Sequence, residues 1–365
     1  MPTSKDSNIP VLTGIRFFAA LMIFVLHYAD RFEVLGQSTY PYLRQLFLGV
    51  QVFFVLSGFI IAYTYLEKAS FEKPFLRTYF IRRIARILPL YLLLTTITFI
   101  VIKNNFQSDW QWLKLFFLNI SLVKGFSSNY HLTGIEPTWS LTVEETFYLL
   151  APIIFVLIRK RKFFFLQVPL LWLIGLALVG FFTIFPFDGF FSSLKFTAFV
   201  SFFGRCFEFY CGIWLAIQYK SQRSFFQTVS GRWPVLTLVG FLAIIAIIML
   251  LVEIEKLTGL ASAQTWLGIG ICNLVFPLVI VILLAGLLRE SSWIQRLLST
   301  SMFQLLGRSS YAFFLIHTGV FATALNHYLP ENIALHLILL VAASIILFLT
   351  VEKPVNLFIR RRLIG

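Results

Sequence analysis

Arg16 and His27 are separated by ten residues, all of them apolar. Eleven helical steps make about three turns, so the two side chains share one face, roughly 16 Å apart along the axis. Histidine is the side chain best suited to move a proton near neutral pH, and the arginine fork grips phosphates and carboxylates. Asp30 stands one turn beyond His27 and is placed to hold the ring in one tautomer. The other reading of His27 is a packing histidine bonded to a neighbouring helix. Arg82, Arg83 and Arg86 fall three or four apart and crowd one helix face. They suit either a phosphate grip or ordinary basic anchoring at a membrane surface.

Further ionisable groups sit where the chain is otherwise oily. In "EPTWSLTVEETFYLLAP" (136–152), Pro137 and Ser140 look like helix-start signals, and Thr142 with Glu145 has the spacing of a capping box. Glu144 and Glu145 point about 100° apart on a helix, so one caps while the other faces the interior. In "GRCFEFYCG" (204–212), Arg205 and Glu208 are three apart and neutralise each other as an ion pair. In "LGRSSYAFFLIHTG" (306–319), Arg308 precedes His317 by roughly 13 Å of helix, the arrangement of Arg16 and His27 again. His317 taken alone is also readable as a packing histidine. Ser57 and Gly58 in "FFVLSGFI" (53–60) are small enough to let two helices approach closely.

The elements that position these groups follow from composition. Of 365 residues, 59% are hydrophobic and 13% charged. A soluble protein of this length cannot hide so much apolar surface, so the fold class is all-α, a polytopic integral membrane protein. Apolar runs near 13–30, 46–66, 84–102, 140–158, 163–186, 196–218, 234–252, 266–287, 304–325 and 333–352 give ten expected spans. The stretch at 110–123 is shorter and amphipathic and is expected along the interface. The net charge of +14 collects in the N-terminus, the even-numbered loops, including the run 159–162, and the basic 353–365 tail. That asymmetry places both termini in the cytoplasm and argues for membrane lipid, and against nucleic acid, as the partner of the basic residues. The first apolar run is interrupted by His27 and Asp30 and lacks a small-x-small cleavage site, so it is read as a retained helix. Cys206, Cys211 and Cys272 lie inside apolar segments and give neither a disulfide framework nor a metal spacing. No linker or internal repeat divides the chain, and residues 1–365 read as a single transmembrane domain with its signature core at about 10–352.

Taken in order, these segments resemble integral-membrane acyltransferase family 3, the bacterial membrane O-acyltransferases that modify surface glycans. Arg16, ten residues and His27 match its first-helix signature. "FFVLSGFI", the Arg83-x-x-Arg86 pair within "RIARILPLY", "PTWSLTVEETFYLLAP", "RCFEFYCG", "LGRSSYAFFLIH" and the late "EKP" (352–354) follow. The chain resembles the stand-alone form, without the C-terminal hydrolase-like domain of many members. The resemblance implies an acyl-CoA donor, acetyl-CoA in the first instance, with no metal, and a glycan or glycolipid acceptor such as lipopolysaccharide O-antigen or exopolysaccharide. The acceptor is then handled by the membrane domain or by a separate extracytoplasmic partner protein. Arg16, Arg83 and Arg86, with Arg82, are implied to hold the donor phosphates. His27 serves as general base or transient acyl carrier, and Glu144 orients the acceptor or the histidine. Asp30, Ser57, Trp139, Ser140, Arg205, Glu208, Tyr311 and His317 are the further cavity candidates. The implied location is the bacterial cytoplasmic (inner) membrane. Two rival readings stay open: acylation of a small metabolite or lipid headgroup, and a proton-coupled transporter, which also uses buried Arg, His and Glu.

Overall fold

The computed structural model describes residues 9–32, 36–160, 164–221, 233–329 and 332–364. In lipid a backbone amide has no water to turn to, so the chain satisfies its polar groups within helices. The helices that matter here are α1 (Pro10–His27), α2 (Gly49–Tyr65), α3 (Lys73–Val101), α4 (Asp109–Ile120), α5 (Trp139–Arg159), α6 (Phe164–Ile184), α7 (Phe202–Ser221), α8 (Val235–Thr258), α9 (Phe276–Arg289), α10 (Ser301–Ile316), α11 (Gly319–Tyr328), α12 (Ile333–Leu347) and α13 (Lys353–Ile364). Proline opens α1, α3 and α9, where its missing N–H costs nothing. Among the described residues there is no sheet, only an isolated bridge between Ser127 and Phe190.

Nine helical segments among the described residues are long and apolar enough to cross a membrane. They correspond to nine of the ten expected spans. The remaining one, 304–325, is not a single helix. α10 stops at Ile316, Thr318 is extended, and Gly319, the first residue of α11, takes a positive φ of 71°. Average hydropathy runs on through this point, but a left-handed residue next to an extended one ends the helical ladder. At the C-terminus, α12 passes through a π turn at Phe348–Glu352 into α13, so residues 353–364 of the basic tail are helical. Lys162 and Arg161 of the basic run 159–162 lie outside the described residues.

The described residues fall into two compact bodies. The first comprises those within 1–67, 164–171 and 204–308; the second, those within 68–163, 172–203 and 309–365. In the first body α1 packs on α2 and α8 on α9. The α2–α7 crossing is built from glycine on both sides. A Cβ at Gly58 would overlap the Phe209 carbonyl, and one at Gly212 would overlap the Val55 carbonyl. The close approach expected at Ser57–Gly58 is therefore reciprocated within "RCFEFYCG".

In the second body α3 is the central helix and carries α13 and α4 along its length. α4 is tied to it by two hydrogen bonds: Trp112 Nε1 donates to the Phe99 carbonyl at 2.8 Å, and the Tyr91 hydroxyl donates to the Asn119 carbonyl at 2.8 Å. Trp110, Leu113 and Phe117 form an exposed apolar stripe on α4, the surface an interfacial helix presents to lipid. The connection from α4 to α5 winds around Lys124, which is fully buried; its Nζ donates to the Thr133 carbonyl at 2.5 Å and the Ile135 carbonyl at 2.9 Å.

Candidate active site

In the first body α1 presents both residues of the opening pair. Each is half-buried. The Arg16 guanidinium lies 5.8 Å from the Phe53 ring centroid on α2, and Ser57 sits one turn further along that helix, also half-buried. His27 is the last residue of α1, so it closes the helix. Its Nδ1 is 2.8 Å from the Ile23 carbonyl. A carbonyl only accepts, so Nδ1 carries the hydrogen and Nε2 is the basic nitrogen. The tautomer is thus fixed by the helix itself. Asp30, expected in that role, lies in the 3₁₀ turn Ala29–Arg31, is exposed and pairs with the Tyr40 hydroxyl. Its place one turn beyond His27 held only while the helix continued, and the helix ends at His27.

Arg205 and Glu208 on α7 pair as their spacing predicts. Arg205 Nη2 and Nε stand 2.9 Å and 3.1 Å from Glu208 Oε1, with the side chains 1% and 0% exposed. The guanidinium also covers the Phe54 ring at 5.1 Å. Three residues not named as site candidates from sequence share this interior: Gln51, Cys272 and Asn273, all buried. Gln51 lies beside Cys272, and Asn273 Nδ2 donates to the Gly204 carbonyl at 3.4 Å. Cys272 and Asn273 ride on a π turn, Ile271–Val275, a form often found at functional sites. The legible signal was uncharged polar side chains inside an apolar run.

In the second body Arg82, Arg83 and Arg86 are half-buried on α3. Tyr79 from the same helix donates to the Tyr148 carbonyl of α5 at 2.9 Å, and the Arg83 guanidinium lies 5.7 Å from the Tyr148 ring centroid. The Tyr148 hydroxyl donates to Glu144. Arg86 is close enough to act electrostatically on Tyr148, as Arg83 is on Glu145. Among the described residues, one oxygen of Glu145 is buried without a hydrogen-bond partner. Tyr311 on α10 donates to the Ile87 carbonyl at 2.9 Å, and the carboxylates of Glu144, Glu145 and Glu352 all act on it. The body therefore gathers two arginines, three carboxylates and two phenols from α3, α5, α10 and the π turn before α13. Arginine is suited to holding anions, and carboxylates and phenols to receiving and relaying protons. Tyr148, Glu145 and Glu352 were not named as site residues from sequence. Glu352 lay inside the quoted "EKP", and Tyr148 follows Glu144 by one helical turn.

Ser140 is buried and donates to the Pro137 carbonyl at 2.9 Å, and Trp139, half-buried, begins α5. The capping box does not form. The helix starts early enough that Thr142 is already one turn inside, where its hydroxyl accepts the Gly125 N–H at 3.2 Å. His317 is fully buried at the α10–α11 break; its Nδ1 is 2.9 Å from the Phe314 carbonyl and its ring lies parallel to Phe313, 5.8 Å away. As at His27, the carbonyl makes Nε2 the basic nitrogen.

The connections flanking α5 and α6 supply a polar clasp outside the spans. Lys114 is 2.8 Å from Asp188, and Ser127 donates to the Asp188 carbonyl at 2.5 Å. The hydrogen bond from Lys114 holds the Asp188 carboxyl below the ordinary aspartate range. Burial pushes the Lys124 ammonium down to about 7, with Glu136 opposing the shift.

Comparison with known proteins finds relatives that are acyltransferases by name. A 31% identical stretch of 170 residues, 42% of this chain and 41% of the relative, is shared with an acyltransferase of Streptomyces mycarofaciens. A protein of Staphylococcus aureus (strain COL), assigned by name to the O-acetyltransferases, is 25% identical over 94% of this chain and 56% of its own length. One of Bacillus subtilis (strain 168), assigned by name to the peptidoglycan O-acetyltransferases, is 28% identical over 42% of this chain and 25% of its own. The chain spans about half the length of the first two. No solved structure matches it. The family model described as "Acyltransferase domain" matches residues 9–352, from the start of α1 to Glu352, and on that match the chain belongs to this acyltransferase family.

Proposed function

We propose that the chain is an O-acyltransferase of the bacterial cytoplasmic membrane that moves an acyl group, acetyl in the first instance, from cytoplasmic acyl-CoA to a hydroxyl of a cell-surface or exported glycan. The observation that carries the reading is His27. Its Nδ1–H is committed to the Ile23 carbonyl, which leaves Nε2 as a base, three turns along the helix from the Arg16 fork. In the reaction, Nε2 takes the acceptor's hydroxyl proton while the oxygen attacks the thioester carbonyl. The carbon–sulfur bond breaks, and coenzyme A leaves with the proton returned by the imidazolium. Arg16 supplies a cationic fork for the donor's phosphates; Arg82, Arg83 and Arg86 on α3 carry forks of the same chemistry within the second body. Glu144, held by Tyr148 in the second body, is the candidate for orienting the acceptor. A glycan acceptor is supported by the Bacillus subtilis relative, whose name specifies peptidoglycan.

The test is a single-turnover experiment on the purified chain in lipid nanodiscs with labelled acetyl-CoA. Wild type transfers label to a glycan acceptor, and His27→Ala abolishes transfer while keeping the native thermal transition. Transfer at the wild-type rate by His27→Ala refutes the assignment. Label retained on the protein without acceptor identifies an acyl-histidine step in place of direct transfer. Glycan mass spectrometry of a deletion strain identifies the acceptor.

A further inference from the structure

α13 continues the last span through the π turn at 348–352 and packs along α3. Residues 355, 356, 359 and 360 are half-buried, so they form the side turned inward. The opposite side is an exposed stripe of Pro354, Leu357, Phe358, Arg361 and Arg362, and these five residues line an open recess of about 650 Å³.

The recess is ordered by polarity along the helix. Its end nearest the span is apolar, with Leu357 41% and Phe358 60% exposed. Its far end carries two exposed guanidinium groups, and that of Arg362 lies 5.9 Å from the Phe358 ring centroid. No acidic side chain occurs in Lys353–Ile364 to neutralise them. In the other direction Leu349 and Ile346, both exposed, extend the apolar surface into α12. An apolar track ending on paired arginines matches one phospholipid standing at the edge of a leaflet. The acyl chain follows Ile346, Leu349 and Leu357, and the phosphodiester meets the two forks.

We infer that α13 is a binding site for one anionic phospholipid of the leaflet on the side of the chain's C-terminus. The headgroup class follows from charge. A zwitterionic lipid brings an ammonium group up to two arginines, whereas phosphatidylglycerol or cardiolipin brings only negative charge and hydroxyls. A free nucleotide phosphate would satisfy the arginines but leave Leu357 and Phe358 without a partner. The inference concerns a lipid site separate from the acyl-transfer residues and does not depend on the donor.

The experiment is native mass spectrometry of the full chain in a neutral detergent, titrated with synthetic phosphatidylglycerol or phosphatidylcholine. Wild type is expected to retain phosphatidylglycerol preferentially, also in the presence of excess coenzyme A. The double variant Arg361→Gln with Arg362→Gln loses that retention by roughly tenfold or more, since each arginine near a headgroup contributes substantially. Its thermal transition in the same detergent serves as the folding control. The preference of the wild-type protein between the two lipids needs no variant. Equal retention of both lipids by wild type, undiminished retention by the double variant, or displacement by coenzyme A would each overturn the inference.

Discussion

Lys124 offers a measurable test of how the connection between α4 and α5 is held. The side chain is fully buried and its Nζ donates to the Thr133 and Ile135 carbonyls. Burial lowers its ammonium to about 7, from an ordinary lysine value of 10.5. An unfolded lysine keeps its proton up to that ordinary value, while the folded one releases it near 7. Between those limits the open state binds more protons, so opening becomes harder as pH rises, by up to about 1.4 kcal/mol per pH unit. Below about 7 both states of the lysine are charged and its contribution to the slope vanishes. A neutral amine still has two N–H groups for the two carbonyls, so deprotonation leaves both hydrogen bonds in place. Hydrogen exchange followed by mass spectrometry over peptides covering 121–138, corrected for intrinsic exchange, reads this directly. Two pH units above neutrality correspond to about 2.7 kcal/mol, or roughly a hundredfold in protection. Lys124→Met loses the hydrogen bonds and lowers protection at every pH, but its profile is flat above neutrality. A flat profile in wild type, parallel to that of Lys124→Met, would refute the burial argument.

Arg83→Ala with Arg86→Ala is expected to raise the KM for acyl-CoA by about tenfold or more with a smaller change in kcat, since charge-assisted bonds to phosphate are each worth about 1.5–3 kcal/mol; an unchanged donor dependence assigns the pair to anchoring. Arg205→Met leaves Glu208 as a buried unpaired charge and is expected to cost about 3–5 kcal/mol, while Arg205→Met with Glu208→Met recovers most of it. Additive losses in thermal unfolding would show that the pair is not coupled. Gly58→Ala drives a Cβ into the Phe209 carbonyl and is expected to destabilise by about 1–3 kcal/mol, read as a lowered Tm in detergent; an unaltered Tm means the crossing is looser than described.

Much of this was legible because lipid simplifies the code. Runs of some twenty apolar residues fix the spans, and any charge inside one stands out. Arg205 and Glu208 were readable as a pair since their spacing alone brings them together. What escaped the sequence depended on where a helix stops. His27 takes its tautomer from Ile23, and because α1 ends there Asp30 falls in the following 3₁₀ turn, beside Tyr40. The capping box failed because α5 begins three residues before Thr142. The break after Ile316 was masked by the apolar residues on either side of "HTG", and only Gly319 hinted at it. Glu352 joins the Tyr311 cluster through the fold, from a position more than forty residues away, and no local pattern reports such a meeting. Lys124 looked like any loop lysine, because a buried ammonium is recognised only once the carbonyls around it are known.

The reciprocal glycines at the α2–α7 crossing set a mechanical reference for the residues above them. With main chain resting on main chain at Gly58 and Gly212, there is no side chain to compress and no rotamer to swap. Phe53 and Phe54 stand about one turn away on α2, the first beneath the Arg16 guanidinium and the second beneath that of Arg205. Both stacked cations therefore inherit their height from a joint that has no slack. Evolution can retune the oily surfaces of these helices freely, but a single added methyl at the joint shifts the seating of two charges at once.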